Sequence, residues 1–594
     1  MRATGTETTA TAESGSEVAT AAEVATPSGD RPRGTASPRP GDGQWALGET
    51  TPLNPNEEWK AREGGLAVRA RVESRYAAEG FAAMSATDRG GRLRWWGLYT
   101  QRRPGIDGGR TATLSTEELE DACFMMRVRI DGGALDLDQL RVLADVSARY
   151  ARGTADVTDR QNVQFHWIRV EDVPAVWEAL ERVGLTTVEA CGDTPRVIIG
   201  SPVAGVAADE IVDGTRAIEE IRRRYIGSEE LANLPRKFKT GISGSPHHDV
   251  AHELQDVAFV GVVHPEHGPG FDVWVGGGLS TTPAIGVRLG AWVPLEEVTE
   301  VWYGIVRVFR DYGYRRLRNR ARLKFLVADW GASRFREVLE TEYLGRRLLD
   351  GPPPPPPPGG RRDHVGVHRQ RDGRFYVGVA PLAGRIDAET LTGLVRAVER
   401  AGSRRVRLTP LQKIVILDVE APRVADLLDD LDALGLPART SAFRRGTMAC
   451  TGIEFCKLAI VETKATAARL VAELEHRLAD VPELFTVDTP PIAVHLNGCP
   501  NSCARAQTAG IGLKGIRMRD PADPDGATVD GFQVSLGGDL GPRPRFGRKA
   551  RGLRTTAADL PDHVERLVRA WLAGREDRES FADWALRAPE EELR

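Results

Sequence analysis

Cys450-TGIEF-Cys456-KLAIVETK, followed from His495 by HLNG-Cys499-PNS-Cys503-ARAQ, is the stretch around which the chain is organised. Four of the six cysteines of this 594-residue chain stand here in two pairs, spaced C-x5-C and C-x3-C. Two thiolate clamps suit a metal centre, and four cysteines are the usual ligand set of a [4Fe–4S] cube. Structural zinc accommodates the second clamp but not easily the first, because its pairs usually run from C-x2-C to C-x4-C. Two disulfides fit less well still, since a long, cysteine-poor chain is expected in a reducing compartment. The spacing favours a cluster and names no reaction.

The second landmark is an internal repeat at an ungapped offset of 251 residues. Phe124 matches Phe375, Leu140 matches Leu391, Leu143 matches Leu394, Thr158 matches Thr409 and Gln161 matches Gln412. Val173 matches Val424, Leu180 matches Leu431, and Gly184-Leu185 matches Gly435-Leu436. Each copy reads strand, helix, strand, helix, which is half of a split ferredoxin-like unit. Echoes continue beyond the copies: Glu-Ala-Cys191 against Met-Ala-Cys450, and VGGGLS (Val275–Ser280) against LGGDLG (Leu536–Gly541). A period this long marks a duplicated domain, not a solenoid. The expected fold is therefore α+β, a pseudo-twofold duplication with two ferredoxin-like half-domains and two larger α/β domains.

The boundaries follow. Residues 1–42, rich in Thr, Ala, Ser, Gly and Pro, read as a disordered tail, neither a secretory signal nor a transit peptide. Residues 43–118 form an N-terminal extension, 119–187 the first half-domain and 188–346 the first large domain. Pro352–Pro358, seven consecutive prolines, mark a stiff linker over 347–365. Residues 366–438 form the second half-domain and 439–594 the second large domain, closed by an amphipathic helix from about Leu560 to Trp584. A formal net charge of −4 argues against nucleic-acid or membrane-surface binding, and no apolar run is long enough for a span. A cytoplasmic monomer is expected.

Cations collect where the copies diverge. Arg127 faces Gly378 in the repeat, and His166 faces Leu417. Alternation in FMMRVRI puts Arg127 and Arg129 on one face, and LPRKFKTGISG places Lys237 and Lys239 two apart. EACGDTPRV adds Arg196. Any one of these alone reads as a solvated surface charge. Trp95, Trp96 and Tyr99 with Gln101, Arg102 and Arg103 form an aromatic and basic cluster, either a packing anchor or the wall of a flat cofactor's pocket. His247 and His248 lack a second ligand pair and suggest no metal site.

Taken together, the two cysteine clamps with NGCPNSCAR, TDRQNVQFH, EACGD, GLYTQR and LPRKFKTGISG resemble the sirohaem and [4Fe–4S] sulfite/nitrite reductases, most closely the ferredoxin-dependent sulfite reductases of actinobacterial type. The resemblance spans roughly residues 43–594. It implies that Cys450, Cys456, Cys499 and Cys503 bind the cluster and that Cys503 also bridges to sirohaem. It implies that Arg127, Arg196, Lys237 and Lys239 bind sulfite. Arg160, Gln164 and His166 would bond sirohaem carboxylates, with Gly276, Gly277 and Gly278 allowing close approach to the macrocycle. A thioether between Tyr99 and Cys191 is implied as well. The implied activity is six-electron reduction of sulfite to sulfide by reduced ferredoxin, since no G-x-G-x-x-G context offers a nicotinamide or flavin site. Nitrite reduction is the nearest alternative, and nitrite-type members carry asparagine where this chain has Lys239. A non-catalytic iron–sulfur protein would need the cysteines but not the four cations. Arg543, Arg545, Arg548, Lys549 and Arg551 are the expected ferredoxin-docking patch.

Overall fold

Two aspartates carry the duplication into the backbone. Asp136 caps the helix Leu137–Tyr150: its carboxylate accepts the Gln139 N–H (2.8 Å) while Gln139 Oε1 accepts the Asp136 N–H (3.0 Å). Asp387 caps Ala388–Arg400 in the second copy, accepting the Thr390 N–H (2.7 Å). Each cap satisfies an otherwise unpaired helix-end N–H, worth about 1 kcal/mol. The structure is a computed structural model and describes residues 54–521, 523, 526–548 and 552–594; the tail expected over residues 1–42 lies outside them.

The strand that ends in each capping aspartate crosses to the other copy. Ala134–Asp136 pairs with Arg405–Leu408, and Arg385–Asp387 pairs with Thr154–Val157. One five-stranded sheet thus runs Leu98–Arg102, Glu120–Val128, Val163–Arg169, Thr154–Val157, Arg385–Asp387, and its twin runs Gly366–Arg369, Phe375–Val379, Ile414–Val419, Arg405–Leu408, Ala134–Asp136. The turn into each exchanged strand needs glycine. Gly133 (φ 68°) would place a Cβ 2.4 Å from the Leu408 carbonyl oxygen, and Gly384 (φ 73°) one 2.3 Å from that of Val157. Leu140, Leu143, Leu391 and Leu394, all buried on the two capped helices, join both halves in one core. Each such side chain contributes about 1.5–3 kcal/mol by burial. The expected strand-helix-strand-helix copy is therefore too simple, because each copy also lends a three-residue strand to its twin.

Both large domains are mixed sheets of similar topology. Pro195–Gly200, Phe238–Ser243 and Val257–His264 are parallel, and Gly268–Val275, Val287–Val293 and Leu349–Asp350 continue antiparallel. Thr447–Ala449, Val494–Asn497 and Ile511–Arg519 are parallel, followed by antiparallel Thr528–Leu536 and Arg554–Thr556. Pro352–Pro356 form neither helix nor strand. The C-terminal helix is two helices, Leu560–Gly574 and Phe581–Arg587, because Arg575 turns extended (ψ 149°) and Ser580 caps a new start. Among the described residues no helix is long and apolar enough to cross a membrane.

Candidate active site

The parallel strands of the second large domain deliver the cysteines. Thr447–Ala449 ends at Cys450, whose N–H donates to the Leu496 carbonyl (3.0 Å), and Val494–Asn497 ends two residues before Cys499. The Gly498 N–H donates to Cys450 Sγ (3.2 Å), and Thr463 Oγ1 donates to the Cys450 carbonyl (2.7 Å). Burial pushes the thiols of Cys450 and Cys499 up to about 12 and that of Cys456 to about 11, with the nearby Cys503 adding to each. Cys503 thus lies near all three of the other thiols, and thiolates gathered this way require positive charge between them. Among the described residues, no three His, Cys, Asp or Glu side chains converge tightly enough to hold a single ion. Four thiol donors in C-x5-C and C-x3-C pairs fit an iron–sulfur cube better than zinc.

A buried aromatic and charged layer backs the cysteine loop. The His166 ring stacks on Phe455, centroids 3.8 Å apart, and its Nε2 lies 3.4 Å from Asp156 Oδ2. Burial lowers the His166 pKa, so the ring is neutral. Its Nδ1 has no partner among the described residues, which fits a further polar group bound there. Asp156 also receives Arg385 Nε (2.7 Å) and Lys464 Nζ (3.2 Å) from the second half. Burial opposes its ionisation, but Lys464, His166 and Arg385 prevail and hold the carboxyl far below its usual range.

The expected cations do converge. Burial lowers Lys237 well below its ordinary value, and Lys239, Arg322, Arg196 and Arg236 lower it further. Lys239 falls to about 7, first by burial and then by Arg160. Burial also lowers Arg160 to about 10, with Arg196 and Arg127 nearby. So much like charge in one place is tolerable only beside an anion. Lys239 is fixed through its N–H to Asp256 Oδ2 (2.8 Å), and Asp256 in turn pairs with Arg322 (2.9 Å). Arg129 does not join this group. It pairs with Asp131 (2.8 Å) and donates to the carbonyls of Glu189, Pro195 and Arg196, bracing the loop that carries Arg196.

Arg160 donates to Gln255 Oε1 (2.7 Å), and Gln164 Nε2 contacts Met125 Sδ (3.4 Å). At Gly277 a Cβ would stand 2.3 Å from the Glu253 carbonyl oxygen, and at Gly276 one would stand 2.9 Å from Val327. The protein's own packing therefore demands those two glycines; Gly278 lies against Arg322. Sequence reasoning missed two arginines. Arg505, two residues after Cys503, and Arg361, just past the prolines, influence each other electrostatically; Nε of each is buried without a hydrogen-bond partner among the described residues, and that of Arg505 lies 3.9 Å from Asp159 Oδ2. The position of Arg505 in CARAQ was a usable signal; Arg361 had none.

The wall expected from Trp95 and Trp96 is a packing anchor instead. Trp95 donates to the Ala232 carbonyl (2.6 Å) and meets Trp59 edge-on, while Trp96 donates to that of Leu66 (3.0 Å) and packs on Trp177. Gln101 accepts the Trp167 N–H, Arg102 is buried against Ala459, and Arg103 is exposed. Tyr99 does reach the site: burial and then Cys191 raise its phenol, and Arg196, Arg94 and Arg127 oppose them. Arg127 Nε donates to Cys191 Sγ (3.4 Å). In the second half, Val415 and Leu417 replace Gln164 and His166 and pack with Tyr376, Val203 and Val206. That half buries an apolar plug where the first half carries Gln164 and His166. His247 pairs with Asp209 (2.7 Å) as a structural contact. Of the expected docking patch, Arg545 pairs with Asp583 (2.6 Å), Arg548 donates to the Ala585 and Ala588 carbonyls, and Lys549 and Arg551 lie outside the described residues.

Comparison with known proteins agrees with this architecture. The nitrite and sulphite reductase 4Fe-4S domain matches residues 191–348 and 440–594, and the nitrite/sulfite reductase ferredoxin-like half domain matches residues 117–183 and 368–434. A sulfite reductase [ferredoxin] of Mycobacterium tuberculosis is 56% identical, over 93% of this chain and 98% of that protein. A ferredoxin–nitrite reductase of Synechococcus elongatus is 35% identical, over 88% of this chain and 97% of its own. The solved structure of the M. tuberculosis NirA protein superposes with a TM-score of 0.89 at 56% identity, covering 93% of this chain and all of that one. By its motifs, its duplicated fold and these matches, the chain belongs to the nitrite and sulphite reductase family.

Proposed function

We propose that this enzyme reduces sulfite to sulfide with six electrons from reduced ferredoxin. The cofactors of the family are sirohaem and a [4Fe–4S] cluster, which together deliver electrons singly to a bound oxyanion. Cys450, Cys456, Cys499 and Cys503 would hold the cluster, and Cys503 would also serve the sirohaem. The carboxylates of that macrocycle suit Arg160, Gln164, His166, Arg361 and Arg505, with Gly276, Gly277 and Gly278 beside them. Arg127, Arg196, Lys237 and Lys239 bind the dianion and stabilise charge as its oxygens depart. Both lysines are displaced toward neutrality, so each can give up a proton to a leaving oxygen and be recharged.

The observation that carries this reading is Lys239, which stands beside Arg160 and Arg322 with its backbone N–H held by Asp256 and, when charged, matches a doubly charged substrate better than a singly charged one. Nitrite reduction is the weaker reading for that reason. The test is steady-state turnover of the purified enzyme with reduced ferredoxin on each substrate. A higher kcat/KM for sulfite is expected; a higher value for nitrite reverses the assignment.

A further inference from the structure

We propose that the ferredoxin docks on the surface formed by Leu458, Lys457 and the segment 100–120, directly outside the cluster ligand Cys456. This inference rests on the ferredoxin-dependent reading above and goes further by placing the partner.

Leu458 is 61% exposed, the most exposed large apolar side chain among the described residues. It is not a floppy residue, because both neighbours are tied down. Lys457 Nζ donates to Thr100 Oγ1 (2.5 Å) and to Glu120 Oε2 (3.1 Å). The Ala459 carbonyl accepts Thr111 Oγ1 (3.0 Å) and Arg102 Nη1 (3.3 Å). The Arg102 N–H donates to the Phe455 carbonyl (2.8 Å), and at Gly108 a Cβ would stand 1.8 Å from the Ile460 carbonyl oxygen. Segment 100–111 is thus laid along the cysteine loop, and the pair of anchors holds Leu458 out toward solvent. Its Cα stands two peptide units from that of Cys456, at most about 7.6 Å away. A carrier seated on it has a short route to the cluster.

The charge around this leucine is lopsided. Glu120 is shared by Lys457 (3.1 Å) and Arg89 (2.9 Å), and its carbonyl accepts Arg103 Nη2 (3.3 Å). Arg94 lies over the Tyr99 ring, close enough to Lys457 to lower its pKa. Lys457 and Arg89 therefore share one carboxylate with Arg103 and Arg94 close by, while Asp107 and Glu454 beside them are paired with Arg517 and Arg385. Glu117 and Glu118 stand on the preceding turn, where Glu118 Oε2 accepts the Ser115 N–H (2.8 Å). Beyond it Arg110 is exposed, near Glu118 but in no side-chain ion pair among the described residues. An apolar point ringed by surplus positive charge suits an acidic partner: charges steer the encounter and the leucine seats it. Beside it, a cleft of about 480 Å³ between residues 102–107 and Ile453-Glu454, floored by Trp167, can take a partner side chain. In the basic cluster near the second cysteine pair, Arg545 and Arg548 instead hold the C-terminal helix, whose Leu586 is less exposed, at 40%.

The test uses the holoenzyme and the variants Leu458→Asp and Arg103→Glu, assayed with reduced ferredoxin and, separately, with reduced methyl viologen. The expected result is a tenfold or larger rise in KM for ferredoxin in each variant, with viologen-driven turnover unchanged. Hydrogen exchange of the unmodified enzyme with and without oxidised ferredoxin provides a readout that needs no variant, with protection expected in 100–120 and 453–460. Ferredoxin KM values within twofold of the parent, or protection confined to other segments, overturn the docking surface alone. An enzyme that turns over with viologen but takes no electrons from ferredoxin overturns both the surface and the donor assignment.

Discussion

Replacing Lys239 by asparagine should separate the two substrates of this family. The change removes one formal charge from a group of cations and leaves a shorter, neutral amide donor. A unit charge pair 4 Å apart at an effective dielectric near 20 is worth roughly 4 kcal/mol. Loss of one donor aimed at a developing oxyanion costs about 2.7–4 kcal/mol, or ~100–1,000-fold. A dianion feels the lost charge about twice as strongly as a monoanion. Sulfite kcat/KM should therefore fall about 100–1,000-fold and nitrite kcat/KM only about 10–30-fold. The parent should also show a falling limb at alkaline pH. Burial and the adjacent arginines bring Lys239 to about 7, so its charge is present below that value and lost as pH rises through it. Bound anion shifts the limb upward, and the variant should lack it. The assay is sulfide and ammonia production with reduced methyl viologen from pH 6 to 9. Equal losses on both substrates, or an unchanged alkaline limb, would refute the role given to Lys239.

Cys503→Ser should abolish the visible bands of sirohaem and cluster together, because one thiolate serves both; loss of the haem bands alone contradicts the bridge. Peptide mass spectrometry should find Tyr99 and Cys191 joined and lighter by two hydrogens, the two electrons and protons having passed to dioxygen. An alkylatable Cys191 in active enzyme rules the thioether out. Asp156→Asn should destabilise the protein by about 3–5 kcal/mol in urea at pH 7, since Lys464 and Arg385 lose their buried counter-ion. The carboxyl is depressed by folding, so this contribution is complete above its unfolded value near 3.8 and fades as pH falls toward the folded one. A difference below 1 kcal/mol at pH 7 would mean that the network relaxes around the amide.

The sequence by itself determined what depends on local spacing and on matched pairs of residues. Two cysteine clamps announce a cluster because ligand spacing is a chain property. The offset of 251 residues announces two copies, and their alignment locates where one copy kept Gln164 and His166 while the other became Val415 and Leu417. Tertiary structure alone decided the exchange of Ala134–Asp136 and Arg385–Asp387 between sheets, since three residues carry no readable period and their partners lie far along the chain. It decided that Trp95 and Trp96 are core residues, because their indole N–H groups find carbonyls at Ala232 and Leu66. It also brought Arg361 and Arg505 to one junction across 144 residues of chain, the difference of their sequence numbers. Motifs record what a ligand asks of neighbours in sequence. Burial and Coulomb interaction act between neighbours in space, and only the folded chain specifies those.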